Sequence, residues 1–394
     1  CTITQNQAQF EGGGIVLLAN ADPPAEIRLC KISDNRTSDI AGLGGAISIA
    51  YSVNLVASVL TGNVAATGGA ILAAKGDGNV YHCVVRGNTA TVQGGGIYAS
   101  AHSGAMLRVA NTVVAGNSAP YGGGIATGAQ LGAEILGCTI ADNTASSEGG
   151  GLYIGTSGNT TIANSIFWGN AATTGAQIRV ASGMTNPTVT YSDVQGGWSG
   201  TGNINQPPQF VGGGVYALRC NSPCLDAGND ADISADIVDV DQDTNVGEDS
   251  PFDVVGDARE VDAVPSTASD VDMGAYEGQD DEVCAGDANH DGVIDVDDLI
   301  AVILNWGSCP GSVAGCFGDV HTTPCGNTSV DSDDLVMVIL GWGLCEDAFP
   351  LAPPGAVPED LQDCWDECAT KYEFGSTEWQ QCADACVQAL EELN

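Results

Sequence analysis

With 394 residues, 43% of them hydrophobic, the chain is long enough for two or three domains with real cores and too apolar to be mostly disordered. Its 54 glycines follow no three-residue period, which excludes a collagen-like triple helix and marks them as repeated turns. The formal charge of −40 is uneven: residues 1–210 carry ten acids and seven bases, and residues 211–394 carry forty acids and three bases. Such a surface repels nucleic acid, anionic lipid and polyuronate, and it attracts divalent cations, calcium first.

Fifteen cysteines in regular local spacings predict an oxidising compartment, and no stretch approaches the length of a membrane span. A secreted protein is expected. The sequence starts at Cys1 already inside a repeat, so any signal peptide or N-terminal cap is expected to have been removed or to lie outside this sequence.

A repeat runs from the first residue. Cys1, Cys30, Ser58, Cys83, Thr112, Cys138 and Ser165 start its copies, with steps of 29, 28, 25, 29, 26 and 27 residues. Five positions after each start stands an asparagine: Asn6, Asn35, Asn63, Asn88, Asn117, Asn143 and Asn170. A glycine pair or triple then opens an alternating strand, as in Gly94-Gly95-Gly96-Ile97 and Gly122-Gly123-Gly124-Ile125. A degraded eighth turn begins at Ser192.

A period near 27 with short alternating segments predicts one coil of a β-solenoid per repeat, over residues 1–210. Stacking explains identity at fixed positions. Inward asparagines bond to one another and to turn backbone, and glycine pairs allow a corner that needs positive φ or close backbone approach. The first column is an interior ladder, so Cys1, Cys30, Cys83 and Cys138 are expected as packed thiols, a Cys1–Cys30 disulfide being the lesser alternative. The aliphatic-x-x-Asn element, with Phe167-Trp168-Gly169-Asn170, and the Gly-Gly-Ala-Ile element together resemble the repeats of polymorphic outer-membrane proteins and related bacterial surface β-helices. The resemblance implies a mainly β protein, a right-handed parallel β-helix at the cell exterior, and no particular chemistry.

Residues 211–280 are expected to be closing turns of the helix, ending in Val271-Asp272-Met273-Gly274-Ala275-Tyr276-Glu277, a series similar to the end of bacterial β-helix proteins that carry C-terminal anchors. Arg259 is expected to pair with Asp272 or Glu277, and Cys220 with Cys224 across a small loop. The alternation Asp239, Asp241, Asp243 either wraps a calcium ion or forms a solvated acidic loop.

Residues 287–298 form the sharpest motif. Asp287, Asn289, Asp291, Asp295 and Asp298 supply oxygens at loop positions 1, 3, 5, 9 and 12, Val293 a carbonyl at 7, and Gly292 the tight turn at 6, which is the donor set Ca²⁺ requires. The apolar run from Leu299 to Trp306 predicts a following helix. The unit recurs 36 residues on, with Asp319, Asn327, Asp331 and Asp334 placed to bind across a longer loop. The duplicated loop and helix over 284–345, with aspartate at position 12, resembles the dockerin family. That resemblance implies a cohesin-like partner, although Val296-Asp297 and Ser332-Asp333 replace the family's usual Ser-Thr recognition pair. Cys284 and Cys316 precede the loops and Cys309 and Cys345 follow the helices, so pairs Cys284–Cys345 and Cys309–Cys316 respect the internal symmetry and leave Cys325 as an odd thiol.

After a Pro-rich linker at 350–358, residues 359–394 hold Cys364-x3-Cys368 and Cys382-x3-Cys386. Each i, i+4 pair lies on one helix face, which predicts a hairpin stapled by Cys364–Cys386 and Cys368–Cys382, with zinc as the alternative. The whole reads as a calcium-stabilised extracellular structural protein whose copies join head to tail into a filament or layer. A surface adhesin for glycan or protein is the first alternative, and a polysaccharide-degrading enzyme the second.

Overall fold

Seven copies of the repeat wind into a parallel β-solenoid with four strands to the rung. The computed structural model describes residues 1–277 apart from 19–23, 102–104, 130, 156–157, 213, 220–221, 242–244, 257–258 and 260–270, and beyond 277 the pairs 293–294, 307–308, 329–330 and 343–344. The chain divides into two compact units, Cys1–Leu351 and Ala352–Asn394. The first rung contributes strands Thr2–Thr4, Gln7–Ala8, Ile15–Leu17 and Ala25–Arg28. Each founds a face in which the equivalent strand of every later rung pairs in parallel, eight strands on the first face and seven on each of the others. Apolar columns such as Ile32, Leu60, Val85, Val114, Ile140 and Phe167 fill the interior.

The asparagine column is continuous. Each asparagine donates both its backbone N–H and its Nδ2 to the Oδ1 of the next, at 2.9–3.1 Å, from Asn6 through Asn170. The same Nδ2 also reaches the carbonyl of the preceding rung's inward aliphatic, as Asn117 does to Val85. Polar groups at this turn are thereby satisfied without water, which a narrow apolar interior demands. Gln177 accepts from Asn170 and donates to Gln195, ending the column, and Trp198 packs on the last layer of core.

The first column is a hydroxyl and thiol ladder. Ser58, Thr112, Ser165 and Ser192 donate to the carbonyl two residues back and accept the N–H of the rung before, while Cys83 and Cys138 are free, buried thiols that donate in the same way. Cys1 and Cys30 depart from the packed-thiol expectation and form a disulfide. They are the only two cysteines on consecutive rungs of this column, and stacking brings their Cα atoms to 4.5 Å, within bridging range.

Every rung turns three corners in the left-handed region. The glycine pair divides its labour: Gly94 takes a φ of +66°, whereas a Cβ on Gly95 would lie 2.2 Å from the Gly123 carbonyl of the next rung. A second column, Leu29, Ala57, His82, Asn111, Gly137, Asn164 and Tyr191, holds the corner just before each repeat start, mostly without glycine. This column serves as a docking edge.

None of the described residues of 210–277 adds a strand to the four faces. They fold back along the flank, with Cys224 against Asp193 of the eighth turn, Asn229 on Asn164, and residues 238–240 reaching Arg28 of the first rung. The chain then returns, with Ser250 and Phe252 on His82 and Asn111, and Ala275 on Thr139. The physical reason is outward apolar surface at the flank. Val113, Ala115 and Ala141 are covered by Tyr216, Val254 and Ala275, and Val56, Tyr81 and Ala110 by Val238 and Val240. Among the described residues the only helical turn is Asp230–Asp232; the helical modules expected after residue 284 lie outside them.

Candidate functional site

The returning strap brings the acidic residues together where it meets the first rungs. Asp236 is fully buried, and both its carboxylate oxygens accept the Val240 N–H at 2.9 and 3.0 Å. Asp241 and Glu248 each place an oxygen beside it, so that the three lie within 4.8 Å of one another. Burial raises the Asp236 carboxyl above its ordinary range, with Asp241 and Asp239 adding repulsion and Arg28 opposing it. Hard oxygen donors under mutual repulsion suit a calcium ion better than a softer metal, and further donors would complete the usual set of six to eight.

This set differs from the alternation expected in the sequence. Asp241 is shared. Asp239 takes a φ of +51° and offers its carbonyl to Arg28 Nη2, outside the trio, and Asp243 lies outside the described residues. Glu248 and Asp236 come from either side of the predicted stretch, joined because Asp236 N–H donates to the Glu248 carbonyl. Only tertiary pairing reveals that.

Cys224 departs from its expected role, and Arg259 meets its own. Cys224 is a free, buried thiol that donates to Asp193 Oδ2 at 3.6 Å instead of closing a ring with Cys220, which lies outside the described residues. Arg259 pairs with Glu277 at 3.3 Å, both buried, and donates to the Asp272 and Gly274 carbonyls. His82, unremarkable in sequence, is buried between the Asp253 carbonyl and Ser250 Oγ at 2.7 and 3.0 Å, and burial lowers its pKa to about 4.

In the C-terminal duplication two short antiparallel pairs are described. Val293–Ile294 pairs with Gly343–Leu344, and Gly307–Ser308 with Ser329–Val330. A shift of 36 residues turns either pair into the other, so the two halves exchange partners as a pseudo-two-fold requires. Val293 belongs to this pairing. The other expected loop ligands, Asp287, Asn289, Asp291, Asp295, Asp298, Asp319, Asn327, Asp331 and Asp334, lie outside the described residues, as do the cysteines from Cys284 to Cys386.

The stretch that carries His82, Asn88 and the Gly94–Gly96 corner is where a known repeat is found. Residues 82–100 match the Chlamydia polymorphic membrane protein repeat. The match covers one rung, and the same spacing recurs on the others, so the solenoid is of this repeat's type and points to a bacterial surface or outer-membrane-associated protein. Neither a curated protein nor a solved structure matches the chain. No described helix is long and apolar enough to cross a membrane.

Proposed function

We propose that the protein is a calcium-stabilised structural rod of the bacterial exterior, whose copies join head to tail through the modules beyond residue 284. The observation that carries this reading is the unbroken asparagine ladder, closed by Gln177 and Trp198 and laced along one flank by the strap. Such a body resists bending and shear. The groups that could otherwise serve chemistry are engaged in holding it: His82 and Arg28 bind the strap, Arg108 bridges Asp77 and Glu134, and Arg179 pairs with Glu148.

Calcium enters the proposal through charge. The half of the chain holding forty acids and three bases repels itself without counter-cations, and it contains both the Asp236 trio and the loop at 287–298. The loop 196–205 bonds over the last rung, with Tyr191, Ser192 and Ile204 N–H groups all engaged, so that edge is blunted. Contacts between copies are therefore assigned to the C-terminal modules.

Electron microscopy of the full chain with calcium and with chelator tests the assembly. End-to-end strings of uniform rods in calcium, shortening in chelator, are expected; dispersed single rods under both conditions would remove head-to-tail joining from the account.

A further inference from the structure

The glycine corner does more than turn the chain. A Cβ on Gly94, Gly122 or Gly149 would lie 2.6–2.8 Å from the outward Cβ four residues on, at Tyr98, Ala126 and Tyr153. The outer surfaces of the second and third faces therefore converge at this corner, and stacking extends it into a groove parallel to the solenoid axis. Burial agrees. Ser48, Leu72 and Ala126 point outward from the third face yet expose only 4%, 4% and 0% of their surface.

Tyrosines line the middle of this groove. Tyr98 and Tyr153 stand in one outward column two rungs apart, about 9.6 Å at the usual strand spacing, with Ala126 between them. Tyr121, on the opposite wall, is 38% exposed and sets its ring 5.4 Å from that of Tyr153. Gly128 leaves room for the Tyr98 ring to reach over the next rung, where a Cβ would meet its hydroxyl oxygen. Below Tyr121 and Tyr153 comes the Glu148–Arg179 pair at 3.2 Å, half-buried on both sides, and above Tyr121 comes Gln93.

We propose that this groove binds an extended, uncharged polysaccharide along the solenoid axis, with Tyr98, Tyr121 and Tyr153 stacking on sugar faces and Gln93, Glu148 and Arg179 bonding to hydroxyls. Tyrosine offers an apolar ring face and a polar tip, which matches the two kinds of surface on a pyranose ring. Beside the tyrosines the one acid and one base neutralise each other, and Glu11 at the far end of the same wall adds only negative charge, so the groove offers no surplus of positive charge to a polyanion and the ligand is uncharged. A peptide strand has no free edge to join, because the strands forming both walls are paired to the rungs above and below. A structural role for the solenoid does not depend on this groove, and loss of polysaccharide binding would leave that role standing.

Affinity electrophoresis of the full chain through gels containing galactomannan, laminarin or hydroxyethyl cellulose, with alginate and polygalacturonate as anionic controls, tests the site. At least one neutral polymer is expected to retard the protein, and Tyr121→Ala and Tyr153→Ala each to weaken retardation about three- to tenfold. Tyr153→Phe keeps the ring face and should retain most of it, and Thr161→Ala, on the exposed outer surface of the fourth face, should change nothing. Should the alanine variants misfold, protection of Tyr98, Tyr121 and Tyr153 from nitration by the bound polymer in the native chain gives the same reading. Retardation by no neutral polymer, by the anionic ones only, or equally in the tyrosine variants and without nitration protection, would overturn the proposal.

Discussion

A single asparagine of the ladder satisfies groups on three successive rungs. Asn117 accepts from the N–H and Nδ2 of Asn88, and its Nδ2 donates to Asn143 and to the Val85 carbonyl. Asn117→Ala should therefore lower stability by roughly 3 kcal/mol or more, because each buried group left unpaired costs about 1–3 kcal/mol; denaturant unfolding measures it. The glycine corner makes a sharper contrast. Gly95→Ala forces a Cβ to 2.2 Å from the Gly123 carbonyl oxygen and should destabilise strongly, while a Cβ on Gly96 would lie 2.9 Å from the Gly124 oxygen, at a position that Ala46 and Ala70 fill on other rungs, so Gly96→Ala should cost much less. These residues were legible in the sequence because stacking demands the same solution at every rung. Cys1–Cys30 was harder, since a column read as one ladder hides the single step where two cysteines meet.

At the scale of elements, the strap is held by contacts that differ at each corner, so no period announced it. His82 reads as an isolated histidine in sequence, and its partners Ser250 and Asp253 lie 168 and 171 residues away. Asp236 and Glu248 fall outside the expected acidic alternation for a different reason: they flank it, and a backbone pairing rather than a period brings them together. Burial, then the positive charges of Arg259 and Arg28, lower the His82 pKa from 6.5 to about 4, against the opposing effect of the Asp253 carbonyl. Because the folded value lies below the unfolded one, the unfolded chain binds the proton more readily as pH falls. The contribution of His82 is full above pH 6.5 and is lost toward pH 4. Asp193, raised by burial to about 6, acts in the opposite sense, its share lost as pH rises through that value. His82→Asn isolates the first effect. Asparagine already fills this left-handed corner at Asn111 and Asn164 and bonds there to the strap. The hydrogen-exchange protection factors of residues 248–256, taken relative to the intrinsic rate at each pH, should fall between pH 7 and pH 5 in the native chain and change much less in the variant; an equal fall in both would remove His82 as the cause.

For the whole molecule, the division into a nearly neutral solenoid and a highly acidic remainder predicts two kinds of stability. The rungs depend on packing and the asparagine ladder, neither of which needs a cation, so a cavity such as Phe167→Ala should lower the stability of the rungs alone, by about 3–5 kcal/mol. The duplicated loops from residue 287 and the Asp236 trio concentrate carboxylates whose mutual repulsion a bound cation would relieve. The solenoid was plain from the sequence because its repeat is its structure. The strap and the groove were not, because they arise from how rungs bend and what the chain does after the last one. Differential scanning calorimetry of the full chain in calcium and after chelation tests the central claim most directly. The account predicts a high transition for the rungs that chelation barely moves, and a lower one that shifts down or vanishes without calcium. Superimposable scans under the two conditions would contradict it.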